Sequence, residues 1–130
     1  MYRAYYNCPN LTGSPVCGDN VTNMRYTYYN CRNLTGSPVC GDKVTDMGYT
    51  YYNCYNLYGN AYLYNVTNVH KCFYGRNIQN RLNIYTYKPE TFTSVTNAYS
   101  VVGEPITWTE DSANTCWYNT KFNIYIYRLT

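Results

Sequence analysis

Apolar and polar positions over the first 80 residues recur with a fixed spacing. Val44, Met47, Tyr51 and Cys54 fall at i, i+3, i+7 and i+10, and Val21, Met24, Tyr28 and Cys31 repeat the pattern one unit earlier. That spacing marks one face of an α-helical stretch, so this half of the unit predicts a short helix or helical turn. Thr22, Thr45 and Thr67 stand just ahead of it, where an N-cap side chain would accept a backbone N–H. The other half, Leu34 to Cys40, contains Gly36 and Pro38 and predicts a short strand or extended segment closed by a turn at Gly41-Asp42. Because proline has no N–H to donate, bonding between successive units should lapse at Pro15 and Pro38.

The pattern rests on an internal repeat. Residues 8–30 and 31–53 are one 23-residue unit written twice, with 19 of 23 positions identical. A fixed period between about 20 and 50 residues predicts a solenoid, in which each unit buries its apolar positions against the next. MYRAYYNC at 1–8 aligns with MRYTYYNC at 24–31, so the chain starts in the middle of a unit. This reading expects an uncovered end formed by Met1, Tyr2, Tyr5 and Tyr6 that is open to a protein partner. The third unit keeps Leu57, Val66, Val69 and Phe73, loses one residue, and carries Arg76 where a cysteine is expected. Beyond it the pattern changes: Asn83 to Tyr87 and Asn123 to Tyr127 alternate and are rich in β-branched and aromatic residues, as strands are. Pro89 to Ser100 can open with a short helix, and Ile106 to Thr109 reads as one more short strand. The expected fold class is therefore an α/β repeat, a solenoid of about three 23-residue coils over residues 1–80 with a β-rich C-terminal cap over 81–130.

Composition narrows the function. The chain has 20 tyrosines and 19% aromatic residues, yet its mean hydropathy is −0.53, a combination that makes flat amphipathic surfaces. With 13% charged residues and a net charge of +3 it lacks the basic stripe that neutralises several phosphates, which speaks against nucleic acid. No apolar run approaches the roughly 18 residues a membrane span needs, and the first residues lack the regions of a signal peptide, so membrane insertion is not expected. Seven cysteines raise the question of disulfides. Cys8, Cys31 and Cys54 share one repeat position and Cys17 and Cys40 another. Equivalent side chains in stacked coils lie about 4.8 Å apart and point the same way, whereas a disulfide wants converging Cβ atoms about 3.8 Å apart. Ladders of buried thiols, formed in a reducing cytoplasm, are the expectation; Cys72 and Cys116 fall outside them and their pairing stays open.

Val44-Thr-Asp-Met47, followed by Tyr51, Cys54 and Leu57, resembles the BspA-like leucine-rich repeats of bacterial surface proteins. Val21-Thr-Asn-Met24 through Tyr28, Cys31 and Leu34 matches equally well. The resemblance covers residues 1 to about 80. It implies a leucine-rich-repeat-type solenoid with short parallel strands on one face, in a family of adhesion and binding proteins whose repeats also look at home in phage and prophage structural proteins. Ser14 and Ser37 depart from the pattern, since an apolar residue is usual there.

Catalytic and metal chemistry find little to build on. His70 is the sole histidine, and nothing in the spacing sets a nucleophile and an orienting acid beside it. The Cys-x8-Cys spacing belongs to the repeat, and His70 with Cys72 leaves too few ligands for zinc. Neither an enzyme nor a cofactor is expected. Asn10, Asn20, Asn33 and Asn65 sit in N-x-T sequons that the repeat generates automatically. Tyrosine is the stronger signal: helical geometry would turn Tyr26, Tyr29, Tyr49 and Tyr52 away from the core in rows, either as a binding surface or as rings that only stack on one another. The expected function is a non-enzymatic structural and binding protein that works by assembly and surface recognition. Its expected setting is a phage or prophage virion, as a fibre, decoration or receptor-binding component, at the virion or the bacterial cell surface. Its partners would be a second copy or larger assembly and, through the tyrosines, a cell-surface glycan. The alternatives are a cytoplasmic inhibitor of a host enzyme and a fragment of a bacterial adhesin.

Overall fold

A computed structural model of the chain describes residues 1–94, 100–113 and 115–130. The α/β repeat expected above is not what the chain forms. The described residues contain one short helix, α1 (Glu90–Thr93), and five strands: β1 (Gly59–Tyr62), β2 (Leu82–Thr86), β3 (Thr109–Glu110), β4 (Cys116–Asn119) and β5 (Ile124–Arg128). They make one small mixed sheet in the order β1-β2-β5-β4-β3, parallel from β1 to β5 and antiparallel from β5 to β3. It joins strands from both sides of residue 80.

The supposed helical half is a run of β-turns. In the first full unit the N–H groups of Thr27, Tyr29 and Cys31 donate to the carbonyls of Met24, Tyr26 and Tyr28, three residues back. The N–H groups between them, on Met24, Tyr26, Tyr28 and Asn30, donate instead to Asp46, Gly48, Thr50 and Tyr52 of the next unit. A helix needs every N–H for the carbonyl four residues back, and here alternate ones are spent between units. Tyr26, Asn30, Tyr49 and Asn53 have φ of 59°, 63°, 56° and 59°, in the left-handed region that a helix excludes. Apolar spacings of three and four survive because each short turn returns one side chain to the interior. Thr22, Thr45 and Thr67 cap no helix; Thr45 N–H donates to Thr22 C=O and Thr67 N–H to Thr45 C=O.

The extended half alternates in and out, with Leu34, Pro38 and Cys40 buried. Single parallel bridges join Gly13 to Leu34 and Gly36 to Leu57. At the prolines a tyrosine hydroxyl takes over the bonding: Tyr28 Oη accepts from Val16 N–H at 2.8 Å and donates to Val16 C=O at 2.7 Å. Tyr51 does the same to Val39, at 2.9 Å in both directions. In the third unit Ala61 replaces the proline, the segment pairs fully as β1 against β2, and Phe73 replaces the tyrosine. The hydroxyl is present where the ladder is interrupted and missing where it is whole.

The interior is a set of columns. Tyr5, Tyr28, Tyr51 and Phe73 stack at 5.2, 5.4 and 5.9 Å between ring centres, all within 8° of parallel. Beside them the Thr27 and Thr50 hydroxyls donate to Met1 and Met24 C=O at 2.7 and 2.8 Å, and the Cys31 and Cys54 thiols to Tyr5 and Tyr28 C=O at 3.1 and 2.9 Å. Cys72, buried, occupies the threonine column one unit on. All seven cysteines are free thiols. Arg76 follows Cys54 in the thiol column and is 6% exposed. Its guanidinium donates to the carbonyls of Asn77, Asn80, Phe122 and Asn123, tying the turn after the third unit to the residues leading into β5. Burial lowers its pKa to about 10.

Among the cap elements, β2 and β5 match the two alternating segments, with Leu82, Ile84, Ile124 and Ile126 inward. Pro89 precedes the short helix α1 as its N-cap, and residues 95–99 of the expected helix-opening segment lie outside the described residues. The short strand expected at Ile106 to Thr109 lies later, at Thr109–Glu110, where it pairs with β4.

Candidate functional site: the outer tyrosine and asparagine columns

Turns with left-handed residues at every fourth position aim the side chains between them outward, and the 23-residue period stacks those side chains on their counterparts. Tyr6, Tyr29, Tyr52 and Tyr74 form one continuous pile, with ring centres 4.9, 4.6 and 4.6 Å apart and planes within 12°. A second pile sets Tyr26 on Tyr49 at 4.8 Å, and His70 meets Tyr49 edge-on at 5.0 Å. The two piles touch along their length, Tyr26 to Tyr29 at 5.7 Å and Tyr49 to Tyr52 at 5.8 Å. Tyr26, Tyr29, Tyr49 and Tyr52 are all half-buried. Each ring thus gives one edge to its neighbours and one to solvent, so the rows are both stacked and presented.

Cations border this face. Arg3 lies over Tyr6 at 4.3 Å, and Arg25 sits 5.4 Å from both the Tyr26 and the Tyr49 ring while pairing with Asp46 at 3.6 Å. Such cation–π contacts steady the rings at about 0.5–1 kcal/mol each where exposed. Burial first, and then the neighbouring phenols of Tyr52 and Tyr6, hold the Tyr29 hydroxyl above its ordinary pKa. It stays a neutral donor and acceptor. Of the residues expected at the open end, Met1 donates its ammonium to Asn23 C=O at 3.2 Å, Tyr2 is 55% exposed and meets Tyr26 edge-on at 6.1 Å, and Tyr5 and Tyr6 stack on Tyr28 and Tyr29.

Next to the outer pile runs an amide column that sequence reasoning missed. Asn30 Nδ2 donates to Asn7 Oδ1 at 2.8 Å and Asn53 Nδ2 to Asn30 Oδ1 at 2.9 Å. The signal was present as an asparagine just ahead of Cys8, Cys31 and Cys54. The column stops at Gly75, φ 79°, where an added Cβ would collide with Asn53 Oδ1. Of the sequon asparagines, Asn33 donates its amide to Pro9 C=O at 2.7 Å and Asn65 to Asp42 C=O at 2.9 Å.

A third aromatic row lies on the sheet, where Tyr62, Tyr85 and Tyr127 stack at 4.8 and 5.0 Å. Arg81 lies 3.7 Å from the centre of the Tyr125 ring and donates to Tyr127 Oη at 2.8 Å. Cys31 and Cys54 are buried, Cys8 is half-buried, and in the second ladder Cys17 Sγ accepts from Gly41 N–H at 3.4 Å while Cys40 donates to Gly41 C=O at 3.1 Å. Burial pushes the Cys40 thiol up to about 12 and Cys54 well above its usual range, which removes nucleophilic thiolate at neutral pH. Among the described residues no group of three or more His, Cys, Asp and Glu side chains could hold a metal ion, and no helix is long and apolar enough to cross a membrane. No protein family, no curated protein and no solved structure matches this chain.

Proposed function

We propose that the protein is a non-enzymatic structural and binding component that recognises its partner through the paired outer tyrosine piles. The observation that carries this reading is the continuous four-ring stack of Tyr6, Tyr29, Tyr52 and Tyr74, flanked by Tyr26 and Tyr49. Tyrosine gives contact area at low conformational-entropy cost, and stacking removes most of the cost that remains. The free edges keep hydroxyls in a regular row. The repeat resemblance supports a phage or prophage particle or a bacterial surface as the setting, with a second copy or a neighbouring structural protein on the face.

Fractionation of the producing cells tests the reading. The wild-type chain is expected with particle or envelope fractions, and Tyr29→Ser with Tyr52→Ser is expected to shift it to the soluble fraction without altering its circular dichroism. A wild-type chain found wholly in the soluble fraction as a monomer overturns the proposal.

A further inference from the structure

Beyond the asparagine column the surface falls into a groove of about 590 Å³, lined by Asn30, Asn33, Asn53 and Asn56 together with Arg32 and Tyr55, and ending at Gly75. Two sets of amides repeat with the units along it: Asn30 and Asn53 of the column, and Asn33 and Asn56, which donate to Pro9 and Arg32 C=O at 2.7 and 3.0 Å. An amide NH2 has two N–H bonds, and each of these four spends one on the protein, so a second is left for a ligand. Asn53 Oδ1 ends the amide column as an acceptor, because Gly75 places no side chain beyond it. Tyr55 is 50% exposed and offers a ring face. No acidic side chain lines the groove. Among the described residues the ion pairs are Arg25 with Asp46 and Lys121 with Glu104, so the exposed Arg32 guanidinium has no carboxylate of its own.

These groups have one chemistry in common. Paired amides present donors and acceptors side by side, which suits vicinal hydroxyls; a tyrosine ring suits the apolar face of a sugar; and an uncompensated guanidinium suits a carboxylate, with charge-assisted bonds about twice as strong as neutral ones. Successive units set these groups about 4.8 Å apart, a period comparable to one sugar unit in an extended chain. An acidic peptide would want more than one cation and apolar pockets for its side chains, and the groove provides neither. We propose that this groove binds an extended acidic saccharide of the uronic acid class, its carboxylate on Arg32, its ring on Tyr55 and its hydroxyls on the four asparagines. The site is separate from the tyrosine piles and does not depend on their role.

Titration calorimetry of the purified chain with trigalacturonic acid, its neutral counterpart galactotriose, and a short polyglutamate peptide tests this. The acidic trisaccharide is expected to bind about tenfold more tightly than the neutral one. Arg32→Ala should abolish that difference, and Tyr55→Ala should weaken both sugars about tenfold. Both side chains are exposed, and an unchanged thermal midpoint would show that the variants fold. Failure of trigalacturonic acid to bind the wild-type chain, equal binding of both trisaccharides, no effect of Arg32→Ala, or polyglutamate binding as tightly as the acidic sugar each overturns the proposal.

Discussion

The Tyr51 hydroxyl accepts from the Val39 N–H and donates to the Val39 C=O, at 2.9 Å each, in a position where Pro38 prevents an ordinary ladder. Its loss would leave a half-buried N–H and C=O without their partner, at roughly 1 kcal/mol and at most about 3. Tyr51→Phe should therefore lower the unfolding free energy by that amount in urea titrations, although it keeps the ring stack. Tyr51→Phe combined with Pro38→Ala should recover much of the loss, because the third unit holds this pair as Ala61 and Phe73. An additive double-variant cycle would refute the coupling. A second residue-scale consequence concerns the amide column. Asn30→Ala removes a side-chain bond on each side and puts alanine at φ 63°, where a Cβ costs about 1–2 kcal/mol. Asn30→Gly loses the same bonds without that strain, so it should be the milder of the two by about 1 kcal/mol.

At the scale of elements, what could be read from the chain was periodicity and what could not was hydrogen-bond partnership. The 23-residue period set Tyr28 over Tyr51 and put Met24 and Met47 alike in the core, since like side chains in register are what the period encodes. β2 and β5 were legible because Asn83 to Tyr87 and Asn123 to Tyr127 alternate strictly. The turn runs were misread as helix. Spacings of three and four arise equally from a helix and from successive four-residue turns, and the difference lies in whether the Tyr28 N–H goes back to Met24 or across to Thr50. A cue was available in Asn30 and Asn53, since asparagine tolerates the left-handed region, but Tyr26 and Tyr49 share that region without any such sequence preference. Their conformation is imposed by the ladder and the ring piles. Of the candidate site, the outward rows of Tyr26, Tyr29, Tyr49 and Tyr52 were anticipated from the wrong local structure. The asparagine column and its groove went unnoticed because amide ladders leave no hydrophobic trace. Hydrogen exchange offers a check: the amides of Met24, Tyr26, Tyr28 and Asn30, bonded to the next unit, should be protected as a group, and more strongly than that of Val21 in the loop before them.

For the whole molecule the same burial that packs the core sets its response to alkali. Burial pushes the Cys40 thiol up to about 12, and Cys31, Cys54, Cys72, Tyr28 and Tyr51 are likewise raised by burial. A raised acid keeps its proton in the fold while the unfolded chain releases it, so stability is full below about pH 9 and declines from there toward 12. Arg76, lowered to about 10, acts in the opposite sense, easing its burial cost above that pH, but it is one group against several. Thermal midpoints should be flat to about pH 9 and fall steeply above it; a midpoint that rises through this range would contradict the buried thiol and phenol columns. The exchange of Pro38 and Tyr51 for Ala61 and Phe73 also bears on how such an array changes over time. Replacing proline first leaves the Tyr51 hydroxyl and both its bonds to Val39 in place, whereas replacing tyrosine first strands the Val39 N–H and C=O. Drift between the two solutions therefore runs through one intermediate only, and in lineages that carry this unit alanine should be found beside tyrosine, while proline beside phenylalanine should be missing.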